Sequence, residues 1–189
     1  MQMKKLVLVL LCLFDCSIFY SCKDTKLVLG DYYYQFDRAD YYHIEITEED
    51  AYELEDKMER SSLEDQTLFI LTYGLSEAID DTLFIRELPM MGFEMKSFTH
   101  TSDVDSLKEI FREKTLSSEN YAETACAPVF RDILIFRSGG EIEGMAKICF
   151  DCWQEVFLGT EVNTNSFGEH NGDYKRLYRL LNSKRKEPI

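Results

Sequence analysis

The sequence predicts an α+β fold, a single domain with an antiparallel sheet and two to three amphipathic helices. Three observations lead there. Apolar residues recur with a period of two in some stretches and about 3.6 in others, and the two kinds are mixed without the regular strand–helix–strand alternation of a parallel sheet. A chain of 189 residues, 45% hydrophobic and 30% charged, has room for one well-filled core. Its three prolines form no linker, and no internal repeat or low-complexity tract divides it.

In chain order, Tyr32–Phe36 and Tyr41–Ile46 are aromatic and β-branched runs about a polar turn, which predicts a hairpin over about 30–46. Alternation divides Tyr32, Tyr33, Tyr34, Tyr41 and Tyr42 between the core and a surface able to meet a peptide or glycan, and places His43 on an exposed edge. Thr47-Glu48-Glu49-Asp50 imitates a capping box and starts a helix with Ala51, Leu54 and Met58 on its inner face. The acidic residues around it lack the ligand spacing and glycine of a calcium loop and read as a solvated face. Thr67–Tyr73 is a strand or a buried helix, which so short an apolar run leaves open, and Thr82–Leu88 reads as a strand. A helix capped by Thr101 or Ser102 buries Val104, Leu107, Ile110 and Phe111. A last helix, about 173–182, buries Tyr174, Leu177, Tyr178 and Leu181, with basic residues toward its C-terminus where the helix dipole favours them.

The hairpin over about 129–150 is the best defined. Phe130, Leu134 and Phe136 on one strand and Ile142, Ala146, Ile148 and Phe150 on the other occupy even positions, so cross-strand partners must keep that parity. A three-residue loop, Ser138-Gly139-Gly140, does so. It sets Arg137 opposite Glu141, Phe136 opposite Ile142, Phe130 opposite Ile148 and Cys126 opposite Cys152. In this register Arg131 faces Lys147, and the inward Asp132 needs a partner, either a backbone amide or neighbouring Arg131 as a buried ion pair.

Three cysteines therefore gather at the open end of this hairpin. A disulfide between Cys126 and Cys152, with Cys149 left as a buried thiol, is the first reading. The alternatives are a zinc site of Cys126, Cys149 and Cys152 with His170 as nitrogen ligand, and thiol redox chemistry at Cys149-Phe150-Asp151-Cys152. The redox reading lacks the helix N-terminus that lowers a thiol pKa, since the motif ends a strand and Trp153–Leu158 forms at most one or two helical turns. The chain has no HExxH, no phosphate-binding GxxxxGK[ST], no GxGxxG after a strand and no GxSxG. Its histidines, His43, His100 and His170, stand in no nucleophile–base arrangement.

The N-terminus carries an address. Lys4 and Lys5 precede the apolar run Leu6–Phe14, which is too short to cross a ~30 Å hydrocarbon layer and has the size of a signal-peptide core. Ser17-Ile18-Phe19-Tyr20-Ser21-Cys22-Lys23-Asp24 follows. A small residue directly before a cysteine resembles the lipobox of bacterial lipoproteins, in the loose form found in Bacteroidota; Phe19 and Tyr20 depart from its usual small residues. The resemblance implies cleavage before Cys22, lipidation of Cys22, and a cell-envelope location on the outer or inner membrane, with the domain in the periplasm or at the cell surface. An ordinary secretory signal cleaved near Ser21 is the other reading. Residues 1–21 are then signal peptide, 22–30 lipidated cysteine and short tether, and 31–189 the domain. The stretch from Cys126 to Asp132, with Lys147 to Cys152, also resembles a pattern in uncharacterised small bacterial proteins, which implies no activity.

The net charge of −14 argues against a nucleic-acid partner, and the basic cluster Lys175, Arg176, Arg179, Lys184, Arg185 and Lys186 is too short to reverse this. The expected function is a non-enzymatic binding domain for a protein or glycan, held at a membrane by its lipid anchor. A metal- or thiol-dependent function at the cysteines is one alternative. An inhibitor or immunity-type protein whose acidic face binds a basic partner is the other.

Overall fold

The structure, a computed structural model, describes residues 28–72, 82–115, 126–168 and 171–183. Residues 1–21, read above as a signal segment, together with Cys22, His170 and the basic residues at 184–186, lie outside them. The elements are β1 (Val28–Tyr32), β2 (Arg38–His43), α1 (Glu48–Asp56), α2 (Ser62–Thr72), α3 (Thr82–Glu87, continued by a 3-10 turn over Leu88–Met91), β3 (Glu94–Phe98), α4 (Thr101–Ile110), β4 (Arg112–Thr115), β5 (Asp132–Ser138), β6 (Glu141–Cys149), β7 (Gln154–Leu158) and α5 (Asp173–Asn182). Five strands form one antiparallel sheet in the order β3-β2-β5-β6-β7, and β1 pairs with β4 in a separate two-stranded sheet. The chain is thus a single α+β domain.

The sheet is covered on both faces, and the sequence of β5 shows why. Ile133-Leu134-Ile135-Phe136 is apolar at both parities, so either face of the strand must be kept from water. Leu134 and Phe136 join Ala146, Ile148, Tyr41 and Phe98 beneath α4 and α5, which contribute Val104, Leu107, Ile110, Tyr174, Leu177 and Leu181. Ile133 and Ile135 join Met145, Tyr42 and Ile44 beneath α1, α2 and α3, which contribute Ala51, Ile70, Leu71, Phe84 and Ile85. The hairpin expected to have one wet face has none along its centre.

The capping box at Thr47 is present: the Asp50 amide donates to Thr47 Oγ1 (3.0 Å) and the Thr47 amide to Asp50 Oδ2 (3.1 Å). Met58, expected inside, lies past the helix end and is 100% exposed. The last helix spans the predicted residues and buries Tyr174, Leu177 and Leu181, whereas Tyr178 points outward. The fourth helix is preceded by His100 with no side-chain cap, so neither Thr101 nor Ser102 serves as its N-cap.

Other expectations are corrected. Of the two runs at 30–46, only Tyr32 of the first lies in a strand, at the end of β1, and Tyr41–His43 of the second form the end of β2. They form no hairpin, because β1 pairs with β4 and β2 lies between β3 and β5. The rest of the first run is irregular and supplies the core side chains Tyr33, Tyr34 and Phe36. Tyr33, Tyr34, Tyr41 and Tyr42 are all buried, which removes the tyrosine surface. β1 begins at Val28, inside the stretch read as a tether. The run at 67–72 is helical, and Thr82–Leu88 is a helix rather than a strand, with Phe84 and Leu88 one turn apart on its buried side. Residues 154–158 form edge strand β7 and no helix.

The β5–β6 register keeps the predicted parity but is displaced by two residues: Phe136 faces Gly144 and Asp132 faces Ile148. The loop is two residues, Gly139 and Gly140, both at positive φ (57° and 98°), as the turn that matches strand twist demands. A bulge between Phe136 and Arg137 restores the apolar face further along. Gly144 is required where it sits, because a Cβ there would lie 2.1 Å from the Tyr34 ring and 2.7 Å from the Leu158 carbonyl oxygen.

Candidate functional site at the open end of the sheet

One end of the five-stranded sheet brings together titratable side chains from several strands. Register places Glu94, His43, Asp132, Ile148 and Glu155 in a single row across all five strands. Residues paired directly across an antiparallel ladder share a face, so four titratable groups are aligned on the side covered by α5.

Asp132 is the hub of this row. It accepts hydrogen bonds from the Tyr41 hydroxyl (2.5 Å) and pairs with His43 Nδ1 (2.8 Å), so its partner is neither a backbone amide nor Arg131. His43, read as an exposed edge residue, is mostly buried. Its Nε2 makes no hydrogen bond, and Glu45 Oε1 is 3.5 Å away. At the far end of the row the Tyr174 hydroxyl donates to Glu155, whose carboxyl is pushed up by burial. Arg131 instead pairs with Asp151 in the β6–β7 turn and donates to the Ile46 carbonyl (3.2 Å), tying that turn to the start of α1.

On the opposite face, Lys147 is the surprise. Expected outside and facing Arg131, it pairs with Ile133, is 0% exposed, donates to the Ile70 carbonyl and lies 4.5 Å from the centroid of the Phe130 ring. Burial pushes its ammonium from the ordinary 10.5 down to about 7. An unfolded chain therefore binds a proton that the folded chain has released between about pH 7 and pH 10.5. This group makes stability rise with pH across that window and leaves it flat below. Lys147→Met is expected to remove the rise, which urea titrations of both proteins at pH 7 and about 9.5 would measure. An unchanged pH dependence would count against a proton-poor Lys147.

The three cysteines do converge. Cys126, Cys149 and Cys152 share a small apolar cluster with Phe130 and Val156. Cys126 and Cys152 stand at disulfide distance, with Cα atoms 5.6 Å apart, inside the range such a bond spans. The register argument that paired them fails, however. β5 starts only at Asp132, and Cys126 lies in the irregular segment before it. That segment is held beside the turn by Gln154 Nε2, which donates to the Cys126 carbonyl (3.1 Å), and by the Phe130 amide, which donates to the Leu71 carbonyl (2.8 Å). Cys149 ends β6, 1% exposed.

For the zinc alternative, Cys126, Cys149 and Cys152 are neighbours, but no group of three His, Cys, Asp or Glu among the described residues is arranged to hold a metal, and His170 lies outside them. For the redox alternative, the CxxC crosses a strand end and a turn, with Cys149 shielded, so no helix dipole activates it.

Trp153 completes the site. It is the only non-glycine residue with positive φ (51°) among the described residues, and it is 48% exposed. A left-handed backbone costs an ordinary residue about 1–2 kcal/mol, which glycine would avoid. Of its neighbours in the turn, Phe150 is half-buried and packs its ring on Tyr178 (5.3 Å between centroids) and Tyr174 (6.3 Å). Sequence reading missed Trp153 because a turn residue's φ is not visible in a sequence. It missed Lys147 because its strand was given one wet face.

Comparison with known proteins adds no assignment: no family model, curated protein or solved structure matches the chain.

Proposed function

We propose that this chain is a lipid-anchored protein of the bacterial cell envelope whose domain binds a partner and performs no chemistry of its own. The observation that carries the reading is the Cys126–Cys152 pair. Two cysteines 26 residues apart stand at disulfide distance beside a turn, and such bonds persist in oxidising compartments outside the cytosol. That compartment is where the signal-like Leu6–Phe14 run and Ser21-Cys22 would deliver the chain. Two or three acyl chains on Cys22 would hold it at the membrane stably, since each buried CH₂ contributes ~0.8 kcal/mol. No helix among the described residues is long and apolar enough to cross a membrane.

Binding is favoured over catalysis by how the polar groups at the sheet end are used. Asp132 is engaged by Tyr41 and His43, Glu155 by Tyr174, and Lys147 by the Ile70 carbonyl. Each is committed within the fold, whereas Trp153 is offered to solvent. The reading predicts that full-length chain made in bacteria fractionates with membranes and incorporates labelled palmitate, and that Cys22→Ser abolishes the label. Label retained by Cys22→Ser would place acylation elsewhere.

A further inference from the structure

We propose that the turn carrying Trp153, with the acidic rim beside it, is the contact surface for a basic protein partner, Trp153 being its anchor. The inference rests on the reading of a binding domain and is independent of the lipid anchor. Trp153 keeps a left-handed backbone that glycine would hold without strain, and it does so with its side chain exposed. Exposed tryptophans in rigid settings are the side chains most enriched among binding hot spots, because a large ring is buried at little entropic cost. The setting here is rigid on three sides: Cys152, next in the chain, stands at disulfide distance from Cys126, Gln154 is tied to the Cys126 carbonyl, and Asp151 is paired with Arg131. On the α5 side, exposed Tyr178 packs edge-on against Phe150 and extends the aromatic surface.

Charge selects the partner. Arg131 connects Asp151 to the Ile46 carbonyl, so the turn borders Glu45 and the exposed first turn of α1, Glu48, Glu49 and Asp50. The Asp151 and Glu45 side chains are themselves exposed. Along this rim the exposed carboxylates of Asp151, Glu45, Glu48, Glu49 and Asp50 outnumber the Arg131 guanidinium that links its two sides, and the chain as a whole carries −14. An anionic lipid surface or a nucleic acid would be repelled from this rim, whereas a lysine- or arginine-rich protein face would be drawn to it.

The test uses the soluble domain portion with its cysteines oxidised and a defined probe, ribonuclease A, a basic protein without tryptophan, alongside the same protein made acidic by succinylation. Because the chain has one tryptophan, its emission reports on Trp153 directly. The basic form is expected to shift that emission at low salt, the shift shrinking as salt rises, and the succinylated form to leave it unchanged. In a surface-immobilised assay, Trp153→Gly and the double variant Glu45→Gln/Asp151→Gln should each weaken binding about tenfold or more. A control with the same charge change at the opposite end of the sheet, Glu141→Gln/Glu143→Gln, should weaken it less than about twofold. Trp153→Gly should melt no lower than the parent, which separates lost contact from lost fold. Equal weakening by the control, full binding by Trp153→Gly, no response to the basic form, or an equal response to the succinylated form would each overturn the proposal.

Discussion

Replacing Asp173 by alanine is expected to destabilise the domain by about 3–5 kcal/mol, the range found when one partner of a buried ion pair is removed. Asp173 opens α5 and is 0% exposed. Its Oδ1 lies 3.1 Å from Lys114 Nζ, itself almost fully buried on β4, and pairs also with Arg176, while Oδ2 accepts from the Gly168 amide (3.3 Å). Burial pushes the Lys114 ammonium down, and Asp173 works against that shift. Lys114 Nζ keeps the Ile110 and Arg112 carbonyls as acceptors (2.7 and 2.9 Å) but would have no carboxylate beside it. The helix N-terminus would also lose the negative charge its dipole favours. Denaturant titration should show a lower midpoint at unchanged slope, and Asp173→Asn, which retains an acceptor for Gly168, should lose less. A loss below about 1 kcal/mol for the alanine variant would show that Lys114 is adequately solvated without Asp173.

Breaking the Cys126–Cys152 bond is expected to cost about 2–4 kcal/mol, the usual return from closing a loop of this length in the unfolded chain. The sequence separation is 26, and the closed loop contains β5 and β6, the two central strands nearest the site. Cys126→Ala and Cys126→Ala/Cys152→Ala should be destabilised alike, and reducing agent should lower the parent's midpoint toward theirs without moving either variant. Cys149→Ala should leave the redox response intact, since that thiol is buried beside the pair but takes no part in the bond. A parent protein indifferent to reductant would mean that the bond does not form.

How much of this was legible in the sequence differs by element, for physical reasons. Helices α1, α4 and α5 were readable because their apolar residues repeat at helical spacing, and Thr47 with Asp50 announced a start. Thr82–Leu88 was not, because seven residues rich in apolar side chains fit either period, and tertiary contacts of Phe84, Ile85 and Leu88 decided for helix. Of the 30–46 runs, Tyr41–His43 is strand, whereas Tyr33–Phe36 is irregular and spends its rings on the core. The partners of β1 and β2 are distant in sequence, and local pattern does not encode that β1 leaves the main sheet for β4. In the β5–β6 hairpin parity was legible and register was not. The loop is Gly139-Gly140 in place of three residues, and the one-residue bulge between Phe136 and Arg137 then carries the pairs from Asp132 to Phe136 two positions along. The pairing of Cys126 with Cys152 was anticipated through a register that does not exist. What brings them together is the irregular segment before β5, pinned by Gln154 and by the Phe130 amide. Val129, Ile133 and Ile135 are apolar at odd positions and mark a second buried face, the face on which Lys147 lies opposite Ile133. The Asp132–His43–Tyr41 cluster needed the β2–β5 pairing, which only the assembled sheet supplies.

The measurement that bears most directly on the account is the intact mass of the chain extracted by detergent from the envelope of bacteria producing the full sequence. The account predicts a species that begins at Cys22, carries acyl groups on that residue, and lies two hydrogens below its reduced mass, with Cys149 the one cysteine open to alkylation after denaturation. A chain that still begins at Met1, or one cut elsewhere and unacylated, with Cys126, Cys149 and Cys152 all alkylated, would contradict both the address and the compartment.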